Sequence, residues 1–339
     1  MSNTEQRVLS CIQPTGDMHI GNYFGAVANW VKMQDQYKCL YGVVDLHAMT
    51  MPYKAEKLRT QTENLFIDLL ACGVDPEKCI LFVQSLVPEH TELCWIFSCL
   101  ASFGDLTRMT QFKEKSKVID SSGSGNFISG GLFIYPVLQA ADILVYRADK
   151  VPVGKDQEQH LELAREIARN FNRQFGDYFP EPKPLFTKTH KIASTADPTA
   201  KMSKSSGEKH YIGLFEDEKI TRKKIKSAVT DSGTPLPDGE MSPGVANLLS
   251  ILTACGKDED AKSFAADYHS GGIHYGDLKG VVAEALVELT GRLKNRRDEI
   301  ASDLEAVREI MIESSKQARA IAGATLKDVR VLVGLPRMR

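Results

Sequence analysis

The apolar positions alternate between short runs and longer helical stripes. Val8-Leu9-Ser10-Cys11-Ile12 is a short, largely apolar run that ends at Pro14 and Gly16. From Gly21, the residues Phe24, Val27, Ala28 and Val31 follow the i, i+3, i+4, i+7 spacing of a helix. Cys39 to Val44 reads as a second buried strand closing on Asp45, and Leu58, Thr62, Leu65, Phe66 and Leu69 give a second helical stripe. Cys79 to Val83 reads as a third strand. Strands alternating with helices predict a parallel sheet with right-handed crossovers. Ligands of such sheets bind beyond the carboxyl ends of the strands. That rule gathers Gln13, His19, Asp45, His47 and Gln84 near one crevice.

The chain then becomes more helical. Ser121-Ser122-Gly123-Ser124-Gly125 has the composition of a surface loop. Gly130-Gly131 precedes an apolar segment running to Tyr146. Val151-Pro152-Val153-Gly154 predicts a strand ending in a turn, and Asp156 is placed to cap a helix carrying His160, Leu161, Ala164, Ile167 and Ala168. Pro180 and Pro182 break the pattern, and after about residue 210 only helical stripes remain, such as Val282, Ala285, Leu286, Leu289 and Leu293. The expected architecture is an α/β domain followed by a mostly helical one.

Composition changes this picture little, except by exclusion. With 42% hydrophobic and 25% charged residues over 339 positions, the chain can bury a substantial core, so wholesale disorder is excluded. A net charge of −2 excludes a uniformly basic nucleic-acid coat but leaves room for a local patch. The stretch 188–226 is such a patch, with ten Lys and Arg against five Asp and Glu. The seven cysteines are odd in number and contain no C-x-x-C pair, which disfavours a zinc ribbon, a redox motif or a disulfide framework. The N-terminus has no apolar signal-peptide core, and no 18-residue apolar run is present. These features predict a cytoplasmic protein without membrane attachment.

Two stretches carry candidate chemistry. In Gln13-Pro14-Thr15-Gly16-Asp17-Met18-His19-Ile20-Gly21-Asn22 a strand ends, a Pro/Gly loop follows and a helix begins. A helix start presents unpaired N–H groups that suit phosphate, while His19 and Asn22 supply side-chain donors. Alone, this stretch also reads as an ordinary loop with a satisfied histidine. In Lys201-Met202-Ser203-Lys204-Ser205 two ammonium groups stand three apart in a polar loop before Gly207. Such groups can neutralise charge moving onto a leaving pyrophosphate, although alone the loop also reads as a solvated basic segment. No P-loop, dinucleotide fingerprint or H-E-x-x-H motif occurs.

A HIGH-like His19-Ile20-Gly21-Asn22 followed at a distance by KMSKS at 201–205 resembles the class I aminoacyl-tRNA synthetases. Further segments are similar to the bacterial tryptophanyl-tRNA synthetases. They include Val44-Asp45-Leu46-His47-Ala48, Arg108-Met109-Thr110-Gln111-Phe112-Lys113, Tyr135-Pro136-Val137-Leu138 and Ala140-Ala141-Asp142-Ile143-Leu144. Asp156-Gln157 with His160, and Ile225-Lys226-Ser227-Ala228-Val229-Thr230-Asp231, extend the resemblance almost end to end.

That resemblance implies a Rossmann-type parallel-sheet catalytic domain over 1–210, with a helical insertion around 104–180. An all-helical anticodon-binding domain would follow over 211–339, in a homodimer. It implies ATP and L-tryptophan as substrates, Mg²⁺ carried by phosphates and water without a protein-built metal site, and tRNA(Trp) as partner. Asp142 corresponds to the amino-acid selector. An indole N–H only donates, so its pocket needs an acceptor such as a carboxylate. Tyr135, His47, Gln157 and Gln139 match other tryptophan-pocket positions. Gln13, Pro14, Thr15, Gly21 and Asn22 match one ATP-contact region, and Gly154, Lys155 and Asp156 match the second. Ile192 corresponds to a residue packing near the adenine. Lys201, Met202, Ser203, Lys204 and Ser205 match the mobile phosphate loop, with Lys115 adding charge. His19, Asn22, Gln13, Lys201 and Lys204 would act in catalysis by alignment and charge stabilisation. The sequence departs from the family pattern at Leu9, Cys11, His19, Gln139 and Lys155. Glutamine at 139 keeps a tyrosyl-type synthetase as an alternative. A tryptophan- or RNA-binding paralogue and a simple adenylyltransferase are others.

Overall fold

The computed structural model describes residues 5–109, 129–152, 154, 158–186, 190–231 and 240–336. Five strands form one parallel sheet in the order β3-β2-β1-β4-β5. They are β1 (Arg7–Ile12), β2 (Lys38–Val43), β3 (Ile80–Val83), β4 (Lys150–Pro152) and β5 (Lys183–Leu185). Strand β1 is central, in register with β2 from Arg7↔Lys38 to Ile12↔Val43, and with β4 at Val8↔Lys150. The strand order reverses beside β1, so the loop leaving its carboxyl end opens at the switch point where α/β sheets bind ligands.

The predicted first helix is present as α1. It is α-helical at Ile20–Asn22, π-helical at Tyr23–Val27 and α-helical again at Ala28–Met33. The remaining helices of the first part are α2 (Asp45–Ala48), α3 (Ala55–Ala71), α4 (Glu89–Ser98), α5 (Phe103–Arg108), α6 (Gly130–Val145) and α7 (Glu158–Phe175). Val153, Asp156 and the Ser121–Gly125 loop lie outside the described residues.

Both faces of the sheet are covered, and alternate strand residues serve different cores. Val8, Tyr41, Val43, Leu81 and Val83 pack in one apolar cluster with α1 and α3. Leu9, Leu40 and Phe82 face the other cluster, built from α4, α6 and α7. Burial on both faces is why these strands read as continuous apolar runs.

Beyond residue 210 the described structure is helical, with α8 (Glu218–Lys226), α9 (Pro243–Ala254), α10 (Asp258–Ser270), α11 (Tyr275–Ala301) and α12 (Leu304–Leu332). This part is not detached from the sheet. Val245, Leu248, Val282 and Leu286 share the first cluster with Ile20 and Tyr41. Ala318, Ala322, Leu326 and Val329 of α12 join the second cluster. Helix α12 also closes the free edge of β3. The Leu81 N–H donates to Ser314 Oγ at 2.9 Å, and the Val83 N–H donates to Ser315 Oγ at 3.1 Å. An edge strand covered in this way cannot pair with another chain. Arg297 of α11 reaches back to Asp68 of α3 at 2.6 Å, a second tie between the two parts.

Candidate active site

The two signature stretches, nearly two hundred residues apart in sequence, meet on one cavity. It encloses 360 Å³ and is lined by Ile12, Gln13, Thr15, Gly16, Met18, His19, Asn22, Leu65, Ser203, Lys204 and Ser205. Backbone pairing holds them together. The Ile20 N–H donates to Ile212 O at 3.0 Å, and the Leu214 N–H donates to Met18 O at 2.8 Å. Met202 is buried in the core, pinning the middle of the lysine loop while Lys201 stays exposed. A Cβ at Gly21 would stand 3.0 Å from the His19 ring and 3.4 Å from the Met202 Cβ. Any larger residue there would wedge the two loops apart.

His19 caps α1. Its Nδ1 accepts the Asn22 N–H, and Asn22 Oδ1 accepts the His19 N–H, both at 3.2 Å. Because Nδ1 accepts, the ring proton of the neutral imidazole sits on Nε2, leaving a donor in the cavity. Burial, followed by the charges of Lys204 and Lys201, pushes the His19 pKa down to about 4. The ring is therefore neutral at physiological pH. Lys204 Nζ donates to Thr15 O at 3.2 Å and to Asp17 O at 2.6 Å, so this ammonium grips the backbone of the first loop. Gly16, at φ +95°, allows that approach; a Cβ there would meet the Lys204 Nζ at 3.1 Å.

A second cluster surrounds Asp142 on α6. Tyr135, Asp142 and Tyr146 lie at i, i+7 and i+11, on one helical face. The Asp142 carboxylate is buried and fully engaged. Oδ1 accepts from His90 Nδ1 at 2.6 Å and Gln84 Nε2 at 2.8 Å; Oδ2 accepts from His47 Nε2 at 2.8 Å and Gln84 Nε2 at 2.9 Å. Burial opposes ionisation here. The attraction of His90 and the hydrogen bonds of His47 and His90 overcome it, holding the carboxyl well below the usual carboxylate range. Tyr135 Oη lies 3.1 Å from His160 Nε2, and its ring stands edge-on to His47 at 6.3 Å. Gln84 directly follows β3 and His47 sits on α2 just beyond β2, both at the carboxyl ends of the strands.

Of the predicted residues, Gln13, Thr15, His19, Asn22, Ser203, Lys204 and Ser205 line one cavity, and Asp142, Tyr135 and His47 form one cluster. Pro14 is buried beside that cavity's wall, Gln139 is half-buried on α6 and Gly154 is exposed just past β4. Ile192 is buried at the base of a hairpin in which Ala193 pairs with Lys201. Lys115, Lys155, Asp156 and Gln157 lie outside the described residues. Asp45, expected near the crevice, lies past the end of β2 and accepts the Leu46 and Ser85 N–H groups and the Ser85 hydroxyl. Sequence reasoning missed His90, Tyr146 and Asn247. Asn247 of α9 grips the hairpin that ends at Lys201, accepting the Ala193 N–H at 2.8 Å and donating to Ala193 O at 3.1 Å. Its one sequence signal is a polar residue within the apolar stripe of α9.

A switch-point cavity lined by both signature loops, beside a buried polar cluster, defines a nucleotide-binding enzyme of the class I synthetase kind. Residues 1–291 match the sequence pattern of the family described as tRNA synthetases class I (W and Y). The chain belongs to that family. It is 46% identical over 341 residues to tryptophan–tRNA ligase 2 of Streptomyces avermitilis, covering 98% of each chain. It is also 46% identical over 337 residues to the tryptophan–tRNA ligase of Corynebacterium glutamicum, covering 98% of this chain and 96% of that one. Among solved structures, tryptophanyl-tRNA synthetase from Campylobacter jejuni complexed with ADP and tryptophan superposes with a TM-score of 0.81 at 35% identity, over 97% of this chain and 100% of that one.

Proposed function

We propose that the chain is a tryptophan–tRNA ligase. An α-carboxylate oxygen of L-tryptophan attacks the α-phosphorus of ATP, giving tryptophanyl-adenylate and releasing pyrophosphate. The tryptophanyl group then passes to the 3′-terminal adenosine of tRNA(Trp), and AMP leaves. The observation that carries this reading is the 46% identity, over nearly the whole length, to proteins named tryptophan–tRNA ligases. The geometry fits it.

The nucleotide phosphates occupy the 360 Å³ cavity, where the His19 Nε2–H and the Asn22 side chain meet phosphate oxygens. Lys204 and Lys201 offset the charge that develops on pyrophosphate. Gln13, Pro14, Thr15 and Gly21 shape the nucleotide seat, and by the family resemblance Gly154, Lys155, Asp156 and Ile192 complete it. The described cavity lining holds the Lys204 ammonium and no carboxylate. Mg²⁺ therefore enters on the phosphates, as that ion commonly does.

Tryptophan lies against α6, with Asp142 accepting its indole N–H and Tyr135, His47 and Gln139 nearby; the family resemblance adds Gln157 to this set. The carboxylate already receives two contacts on each oxygen, so the indole N–H displaces a partner. His47, on Oδ2 and the most solvent-accessible of the three, is the one that yields.

The helical part from 211 onward carries the anticodon contacts, and the basic stretch 188–226 lies toward the tRNA backbone. A homodimer would cover Trp95 and Phe103, which are 70% and 73% exposed. No helix among the described residues is long and apolar enough to cross a membrane, and a cytoplasmic setting fits a partner that works in translation. ATP–pyrophosphate exchange tests the assignment. Exchange with tryptophan and not tyrosine is expected; no exchange with tryptophan overturns it.

A further inference from the structure

Behind Asp142 runs a buried chain that direct contact with substrate does not require. His90, wholly buried on α4, places Nδ1 2.6 Å from Asp142 Oδ1 and Nε2 2.7 Å from the Tyr146 hydroxyl. Its ring stacks on Phe82, with centroids 5.7 Å apart and planes 21° from parallel. Burial pushes the Tyr146 phenol far up in pKa, so it keeps its proton. An ionised carboxylate only accepts. Nδ1–H then donates to Asp142, while the Tyr146 hydroxyl, able to donate or accept, pairs with Nε2 in either charge state of the ring.

We propose that His90, backed by Tyr146, is a positioning residue for amino-acid selection. It fixes Oδ1 of Asp142 so that Oδ2 is presented, ionised and correctly aimed, to the substrate N–H. The division of labour is visible in the partners. Gln84 bridges both oxygens, but the wholly buried His90 holds Oδ1 alone, whereas the slightly exposed His47 holds Oδ2 alone. Second-layer hydrogen bonds of this sort fix the orientation and charge state of the group they hold. Other titratable groups around the carboxylate are Cys11 from β1, His47 from α2, Cys94 from α4 and Tyr146 beyond the end of α6. Burial raises both thiols, so both stay neutral and neither adds a charge beside the carboxylate.

The inference rests on the tryptophan reading, and the experiment separates the two. Exchange kinetics are measured for the unmodified chain and for His90→Leu, His90→Asn and Tyr146→Phe, between pH 5.5 and 8.5. Asparagine places an amide donor near the position of Nδ1; leucine does not. His90→Leu is expected to raise the tryptophan KM roughly 10- to 100-fold, the range for a lost hydrogen bond to a charged group. The ATP KM should stay within about twofold, as the nucleotide seat is untouched. The tryptophan defect should deepen as pH falls, because an Asp142 no longer held ionised takes up a proton and stops accepting. His90→Asn should recover most of the affinity, and Tyr146→Phe should show a smaller defect of the same kind. A wild-type tryptophan KM in His90→Leu and Tyr146→Phe overturns the proposal. So does an equal rise in both KM values that His90→Asn fails to relieve. Absence of tryptophan exchange in the unmodified chain overturns the underlying assignment instead, and is seen before any substitution is made.

Discussion

Replacing Ser314 and Ser315 together by alanine removes the hydroxyls that accept the Leu81 and Val83 N–H groups. Both serines are buried, at 3% and 2% exposure, so water does not readily take their place. A buried N–H left without an acceptor costs about 1–3 kcal/mol, which makes about 2–6 for the pair. Alanine is the better helix former by roughly 0.5 kcal/mol per position, so the net loss is about 1–5 kcal/mol. Urea unfolding followed by tryptophan fluorescence reads it directly. The chain has two tryptophans, and Trp30, buried against Tyr41 with ring centroids 4.5 Å apart, reports on the core. The sign is decisive. Were the hydroxyls idle, helix propensity alone would stabilise the double variant by about 1 kcal/mol. A midpoint at or above the parent's would refute the edge-pairing argument.

Asp142→Ala should impair tryptophan use far more than ATP binding, because Gln84, His47 and His90 lose their shared acceptor while the nucleotide cavity is unchanged; separate KM values check this. Lys204→Ala should slow adenylate formation with little effect on tryptophan affinity or thermal stability, since its partners are carbonyls of a surface loop; single-turnover kinetics and a melting curve test both halves. Arg297→Met should destabilise in a pH-dependent way. Burial, opposed by Arg297, lifts the Asp68 carboxyl to about 6. A raised carboxyl contributes its stability at low pH and loses it as pH climbs through the folded value. Without Arg297 that value rises further, so the variant should match the parent near pH 5 and lose about 2–3 kcal/mol near pH 8. This lies below the ~3–5 of a fully buried pair because the Arg297 side chain is 25% exposed. Equal losses at both pH values would refute the assignment.

The parts legible in the sequence were those written in local pattern. Strands buried on both faces are apolar throughout, so β1, β2 and β3 could be read within a residue or two. The loop after β1 announced itself by Pro14, Gly16 and Gly21, and the lysine loop by its spacing. Asp142 stood out as a charge in an apolar helix. What could not be read is pairing at a distance. Nothing near His90 says that its ring lies between Asp142 and Tyr146, because those contacts span more than fifty residues. Ser314 and Ser315 left a faint mark, two small polar residues in the stripe Val307, Met311, Ala318, Ala322. That mark says the face is buried, not that a strand edge awaits it. The π-helical turn at Tyr23–Val27 left none, because its apolar stripe is the one an α-helix would show.

The grip of Lys204 on the Thr15 and Asp17 carbonyls makes the lysine loop a gauge of incoming charge. At rest its ammonium already holds two neutral acceptors, so a ligand draws it away only by offering something better. Phosphate oxygens do so, since they carry a full negative charge to meet the ammonium where a carbonyl offers only a dipole. A bare nucleoside offers no such trade and leaves the latch shut. Before a ligand arrives, Lys204 is thus already engaged rather than poised for any anion. Its release then sets a threshold, one that a triphosphate should cross more readily than a weakly charged competitor.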